Sequence, residues 1–182
     1  TASGAAVQNV PADVERALKA AGWTTITGSW KKKSENVYEV SNGKLEAVKT
    51  NGAIQVTVHR GGSGTVKAMV RNSHSGSSFS STYYSYSSGY GVEVNGAVAK
   101  LFTPYSPTYS NTNFRPWMER EVNLTTGFPK DLFVVTINES AGEININGKK
   151  EKAFNYKITR DGPFIIEVRG TMTIESPGAM GQ

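Results

Sequence analysis

Residues 132–154 read LFVVTINESAGEININGKKEKAF, and this stretch decides the fold. Phe133, Val135 and Ile137 alternate with Val134 and Thr136, the two-residue period of a strand with one buried face. Glu139-Ser140-Ala141-Gly142 turns the chain, after which Ile144 and Ile146 alternate with Glu143 and Asn145. Asn147-Gly148 follows, the strongest short hairpin signal, because both turn residues tolerate positive φ. Lys149 onward leads away, polar at first and ending on Phe154. Three strands joined by tight turns form a meander, which needs a second sheet over its apolar face.

The chain on either side supplies that cover. Residues 1–10 are small, polar and featureless, and are expected to form a tail or linker. Residues 11–21 hold the one helical pattern: Pro11 suits a helix start, Val14, Ala17, Leu18 and Ala21 share a face, and Gly22 suits a left-handed cap. From Trp23 the pattern is extended. Ser41-Asn42-Gly43 and Asn51-Gly52 read as hairpin turns, and Ile54, Val56 and Val58 alternate with Gln55, Thr57 and His59. Gly61-Gly62-Ser63-Gly64 reverses the chain before Val66, Ala68 and Val70. Asn95-Gly96 marks another hairpin, and Met118, Arg120, Val122 and Leu124 are expected on one side of a strand. Two segments break the rhythm. Residues 72–89 are Ser- and Gly-rich with Phe79, Tyr83, Tyr84 and Tyr86, and residues 103–116 carry Tyr105, Tyr109, Phe114 and three prolines. Short strands at this spacing, with one short N-terminal helix, predict an all-β antiparallel two-sheet sandwich of jelly-roll type.

Composition narrows the function. A chain of 182 residues with 37% hydrophobic content is long enough for one two-layer core, so residues 11–182 are expected to form a single domain with its sandwich over 23–176. No apolar run approaches the roughly 18 residues of a membrane helix. The chain opens without a hydrophobic leader, the pattern of a cytosolic or already mature protein. The absence of Cys rules out disulfides and thiolate metal sites. The charge of +5 is modest, and the basic runs Lys31-Lys32-Lys33 and Lys149-Lys150 lack interleaved aromatics, so nucleic acid is not the expected partner. They read instead as solvated lysines that blunt sheet edges.

The order of pieces resembles the concanavalin A-like lectin and glucanase superfamily, which includes laminin-G-like and galectin jelly rolls. The resemblance runs from Trp23 to Ser176. Gly28-Ser29-Trp30 with Ser41-Asn42-Gly43-Lys44-Leu45 is similar to its opening hairpin. Tyr90-Gly91-Val92-Glu93-Val94 is similar to a later strand, and Phe164 through Ile174 to a galectin's last two. It implies a jelly-roll fold and a glycan ligand. Asn72 matches an Asn of the galectin site, and Trp117, Glu119 and Arg120 resemble its last segment. His59 is followed by Arg60-Gly61-Gly62, which departs from the galectin His-x-Asn-x-Arg strand, and Trp117 and Glu119 are two apart rather than three. Retaining glucanases of the superfamily need two carboxylates about 5–5.5 Å apart. Glu143-Ile144-Asn145-Ile146-Asn147 offers one carboxylate and two amides on its shared face, so no catalytic residue is assigned.

Sugars are held by flat rings against their C–H faces and by polar groups on their hydroxyls, and Tyr supplies both at low entropy cost. The expected ligand surface is therefore Tyr83, Tyr84, Tyr86, Tyr90, Tyr105, Tyr109 and Trp117, with Arg71, Asn72, Glu119 and Arg120 as polar partners. Calcium is common in the superfamily, but Asp13, Asp131 and Asp161 lie in separate segments, so no metal and no cofactor is expected. His59 and His74 are read as surface residues, and Trp23 and Trp30 as core. The leading expectation is a non-catalytic, extracellular carbohydrate-binding module with a glycan or polysaccharide partner. The alternative is a homo-oligomeric subunit of a surface layer or filament, its tail pairing with a neighbour's sheet edge.

Overall fold

A computed structural model of the chain describes residues 9–47, 52–59, 62–71, 89–95, 98–103, 117–123, 132–138, 143–153 and 164–181. Among them are one helix, α1 (Ala12–Ala20), and twelve strands. The first six are β1 (Thr25–Ser34), β2 (Val37–Ala47), β3 (Gly52–His59), β4 (Thr65–Arg71), β5 (Gly89–Val94) and β6 (Val98–Thr103). The rest are β7 (Trp117–Asn123), β8 (Leu132–Asn138), β9 (Glu143–Ile146), β10 (Lys149–Ala153), β11 (Phe164–Arg169) and β12 (Thr171–Gly181). All strand pairs are antiparallel and follow one hydrogen-bonded path, β10-β9-β8-β3-β12-β2-β11-β4-β5-β6-β7, with β1 on β2.

The path folds on itself to make two layers. β11 and β12 run end to end along the same edge of β2: Phe164 pairs with Ala47, and Glu175 with Val37. β11 continues outward to β4, β12 to β3. Where the two layers part, the strands take unequal paths. Between the pairs Thr27–Lys44 and Ser29–Ser41, β1 spends only Gly28 while β2 spends Asn42 and Gly43. Between Glu167–Lys44 and Thr171–Ser41, the third strand spends Val168, Arg169 and Gly170. Three strands of growing length cannot stay flat together, and each bends through a left-handed residue: Gly28 at φ +99°, Asn42 at +47° and Gly170 at +72°. The Asn42 and Gly170 backbones are clasped, with Asn42 N–H donating to the Gly170 carbonyl and Gly170 N–H donating to Asn42 Oδ1, both at 3.0 Å.

This bend corrects one expectation. Ser41-Asn42-Gly43 is a bulge inside β2, not a hairpin turn. The inward positions shift phase across it, from Tyr38 and Val40 to Leu45 and Ala47. A second correction concerns β7. Leu101 pairs with Arg120 and Phe102 with Met118, leaving Glu119 as an extra residue, so the expected alternation from Met118 to Val122 is not kept.

The meander forms as expected: β8, β9 and β10 are neighbours, and Asn147 (φ +52°) and Gly148 (+81°) make the turn. Asn147 also holds β8, its Oδ1 accepting from Val134 N–H at 2.7 Å. One continuous core joins both layers, from Val66, Val92 and Leu101 to Val135, Ile137, Ile144 and Ile146. Trp23 and Trp30 lie in it, the Trp23 indole donating to the Pro177 carbonyl at 3.0 Å. α1 starts one residue after Pro11 and closes on Gly22, with Trp23 N–H donating to Leu18 O and Gly22 N–H to Lys19 O, the paired bonds of a Schellman end. Val14 and Leu18 are buried, whereas Ala17 is exposed. Asn9, expected in the tail, hydrogen-bonds β1 on both sides, to Gly28 O and from Trp30 N–H. The lysine runs lie on β1 and β10, both edge strands.

A Cβ at Gly28 would run into the Gly43 backbone and sit 2.7 Å from the Asn42 carbonyl, besides forcing an L-residue to positive φ. Gly28→Ala should therefore cost about 2–4 kcal/mol and lower the melting temperature by about 5–15 °C. Asn42→Gly keeps the conformation and the backbone half of the clasp, loses only the bond to Oδ1, and should cost less than about 1.5 kcal/mol. Thermal and urea unfolding of the two variants checks both.

Candidate functional site

β4, β5, β6 and β7 lie side by side, and their antiparallel order brings four strand ends together. The chain leaves β4 at Arg71 and β6 at Thr103, and re-enters at Gly89 and Trp117. Arg71 pairs with Gly89, and Thr103 with Trp117, so the two connections attach at the same end of the layer. β11 also begins there, Phe164 pairing with Val70. Of the expected ligand residues, Arg71, Tyr90, Trp117, Glu119 and Arg120 occupy these adjacent strands. Tyr90 pairs with Val70 and Arg120 with Leu101, while Glu119 sits in the bulge. Asn72, Tyr83, Tyr84, Tyr86, Tyr105 and Tyr109 fall outside the described residues, as do His74, Asp131 and Asp161.

Below that end, register sets up two rows on the face turned away from the core. The nearer includes Met69 and Ile165, paired with one another and only 5% and 2% exposed, a small apolar cluster separate from the main core. The next row crosses five strands as Lys44, Glu167, Lys67, Glu93 and Lys100, each paired with its neighbour, and the backbone partner of Lys100 in β7 is Glu121. Charges of opposite sign in adjacent strands attract, and the row alternates in sign throughout.

Several carboxylates elsewhere pair with cations. Glu143 on β9 lies 3.6 Å from Lys150, and Asp13 and Glu35 flank Lys32 at 3.9 and 3.6 Å. His59, for which the sequence suggests no partner, is hydrogen-bonded through Nε2 to Glu175 Oε2 at 2.5 Å, on a partly exposed face. Among the described residues no group of three or more His, Cys, Asp or Glu is placed to hold a metal ion. Nor is any helix long and apolar enough to cross a membrane.

A concave region lies at the other end of β2, in a cleft of about 390 Å³ between α1 and the irregular part of β12. Ala17, Leu18 and Ala21 come from the helix, and Asn36, Tyr38 and Gln55 from the sheet side. Ser176, Pro177 and Gly178 complete it where β12 breaks register with β3 between Glu175 and Gly178. The sequence reading missed this cleft, and the only trace of it is the Ser-Pro-Gly triplet, a turn signal inside a strand. Burial, assisted by the Glu35 and Asp13 carboxylates, pushes the Tyr38 hydroxyl above its ordinary value of 10.0.

The folded chain thus keeps the Tyr38 proton to higher pH than the unfolded chain does. That preference is harmless at neutral pH, and stability is lost as pH rises through the folded value. Urea unfolding at successive pH values above about 10 should show a loss that Tyr38→Phe reduces.

Neither a family model nor a curated protein matches the chain. Among solved structures it is similar to the carbohydrate binding module CBM66 of Bacillus subtilis, with 13% identity and a TM-score of 0.53 over 87% of this chain and 94% of that one. It is also similar to the laminarinase catalytic domain of Thermotoga petrophila, with 13% identity and a TM-score of 0.43 over 81% and 71%. A third likeness is to the Emp47p carbohydrate recognition domain, with 11% identity and a TM-score of 0.42 over 95% and 92%. The first of these, together with the topology above, establishes the fold as an antiparallel jelly-roll sandwich.

Proposed function

We propose that the chain is a non-catalytic, extracellular carbohydrate-binding module that takes a neutral glycan at the shared end of β4, β5, β6 and β7. The carrying observation is that the segments holding Tyr83, Tyr84, Tyr86, Tyr105 and Tyr109 attach to adjacent strands at one end of one layer, beside Arg71, Tyr90 and Trp117. Aromatic faces on neighbouring loops suit the C–H faces of sugar rings, while Arg71, Asn72, Glu119 and Arg120 offer hydroxyl partners. The alternating signs of the five-strand row favour an uncharged partner over a polyanion. A fold shared with a bacterial carbohydrate binding module raises the weight of this reading by analogy. The pairing of Glu143 with Lys150, and the amides at 145 and 147, support binding without hydrolysis.

The test is a broad glycan array with labelled protein, in the presence and absence of calcium. Selective binding to one neutral glycan family is expected, unchanged by chelation. A Trp117→Ala, Tyr84→Ala double variant should bind about tenfold or more weakly with an unchanged melting temperature. Glu143→Gln should bind as the parent does, and neither protein should release reducing sugar from the bound glycan. A blank array from folded protein, with particle mass growing with concentration, would replace this reading with that of an assembly subunit.

A further inference from the structure

The geometry points to a second, independent binding site: the cleft under α1, which we propose takes a neutral sugar of one or two rings. The cleft volume of about 390 Å³ lies at the small end of ligand pockets, whose range is roughly 300–1,000 Å³. Its chemistry is two-sided. α1 and its C-terminal cap present only apolar groups, Ala17, Leu18 and Ala21, and Pro177 extends that surface. The sheet side is lined by Asn36 and Gln55, which carry amides, and by Tyr38 and Ser176, which carry hydroxyls.

Among the described residues no charged side chain lines the cleft, and this bears on the ligand class. An anion would lose hydration there without gaining a counter-charge, and the Glu35 and Asp13 carboxylates near Tyr38 are already paired with Lys32, which leaves a cation little to gain. A purely apolar ligand would cover the amides and hydroxyls and leave them unpaired, which also costs free energy. A neutral molecule with an apolar face and a hydroxylated edge satisfies both walls. The rim is also fixed in advance. Asn36 and Ser176 hold positive φ, +60° and +46°, and Ser176 N–H donates to the Asn36 carbonyl at 2.9 Å. Both conformations are thus held by the β1–β2 turn and the break in β12, which leaves the rim little freedom to collapse. The cleft sits by the start of β2, whereas the loop end lies by its last residue, so this proposal does not rest on the carbohydrate reading above.

The test titrates the full chain with methyl glucoside, methyl galactoside, methyl mannoside, methyl fructoside, maltose and cellobiose, read by amide NMR shifts. Saturable shifts at Ala21, Gln55, Ser176 and Gly178 are expected for at least one of them, with a dissociation constant in the millimolar range or tighter. Ala17→Trp, which fills the cleft from an exposed helix position, should weaken that response about tenfold or more. Gln55→Ala, an exposed truncation that leaves the core untouched, provides the second variant and should weaken it about threefold or more. The Trp117→Ala, Tyr84→Ala variant should leave these shifts unchanged, which separates this site from the loop end. No saturable shift at the four amides, shifts that survive both cleft variants, or equal response to glucosamine and glucuronate would overturn the proposal.

Discussion

The clasp between Asn42 and Gly170 holds the line along which a single sheet becomes two layers. β1, β2 and the β11–β12 pair cross that line with one, two and three residues respectively. The next strands outward no longer continue one another: β3 ends at His59, and β4 begins at Thr65. A flat sheet of twelve strands would leave an apolar face in water, and twist alone does not close it. The left-handed residues supply the missing curvature. They let Val40 face the same core as Leu45 although the residues differ in phase along one strand. The Trp30 indole donates to the Thr27 carbonyl at 2.8 Å, pinning the inside of the bend. At Gly170, a side chain would approach the Gly64 backbone to within 2.9 Å. Core and bend therefore depend on each other: burial rewards the fold, and the bulges make it reachable.

Much of this was legible in the residues. Strict alternation in β8 and β9, closed by Asn147-Gly148, gave the meander because one face of that layer is buried and the other is not. The Pro11 and Gly22 signals bracketed α1 within a residue. Ser41-Asn42-Gly43 misled for a physical reason. Asn-Gly marks positive φ, and positive φ serves a bulge in a continuous strand as well as it serves a hairpin. Only pairing partners far along the chain, Gly28 and Gly170, distinguish the two. The extra residue Glu119 is invisible for the same reason, since a bulge is a property of two strands and not of one.

The two candidate sites differ in how they show in the sequence. The loop end announces itself as a break in rhythm, with tyrosines crowding residues 72–89 and 103–116. Topology adds that both breaks belong to one end of one layer. The cleft is assembled from single residues of distant segments, among them Ala17, Asn36, Gln55 and Ser176. None of them stands out locally, and their meeting depends on β12 passing between β2 and β3 while α1 docks through Val14 and Leu18.

The alternating row from Lys44 to Lys100 bears on how the sandwich avoids misassembly. Because the sign changes at every strand, any two strands separated by one carry the same charge at that level: Lys67 matches Lys100, and Glu167 matches Glu93. A chain that skipped a strand while pairing would set like charges face to face, an arrangement that is destabilising. Non-local sheets search slowly through competing pairings, and such a penalty biases that search. The row thus works as a parity check on strand order, written in charge, while the apolar pattern within enforces register.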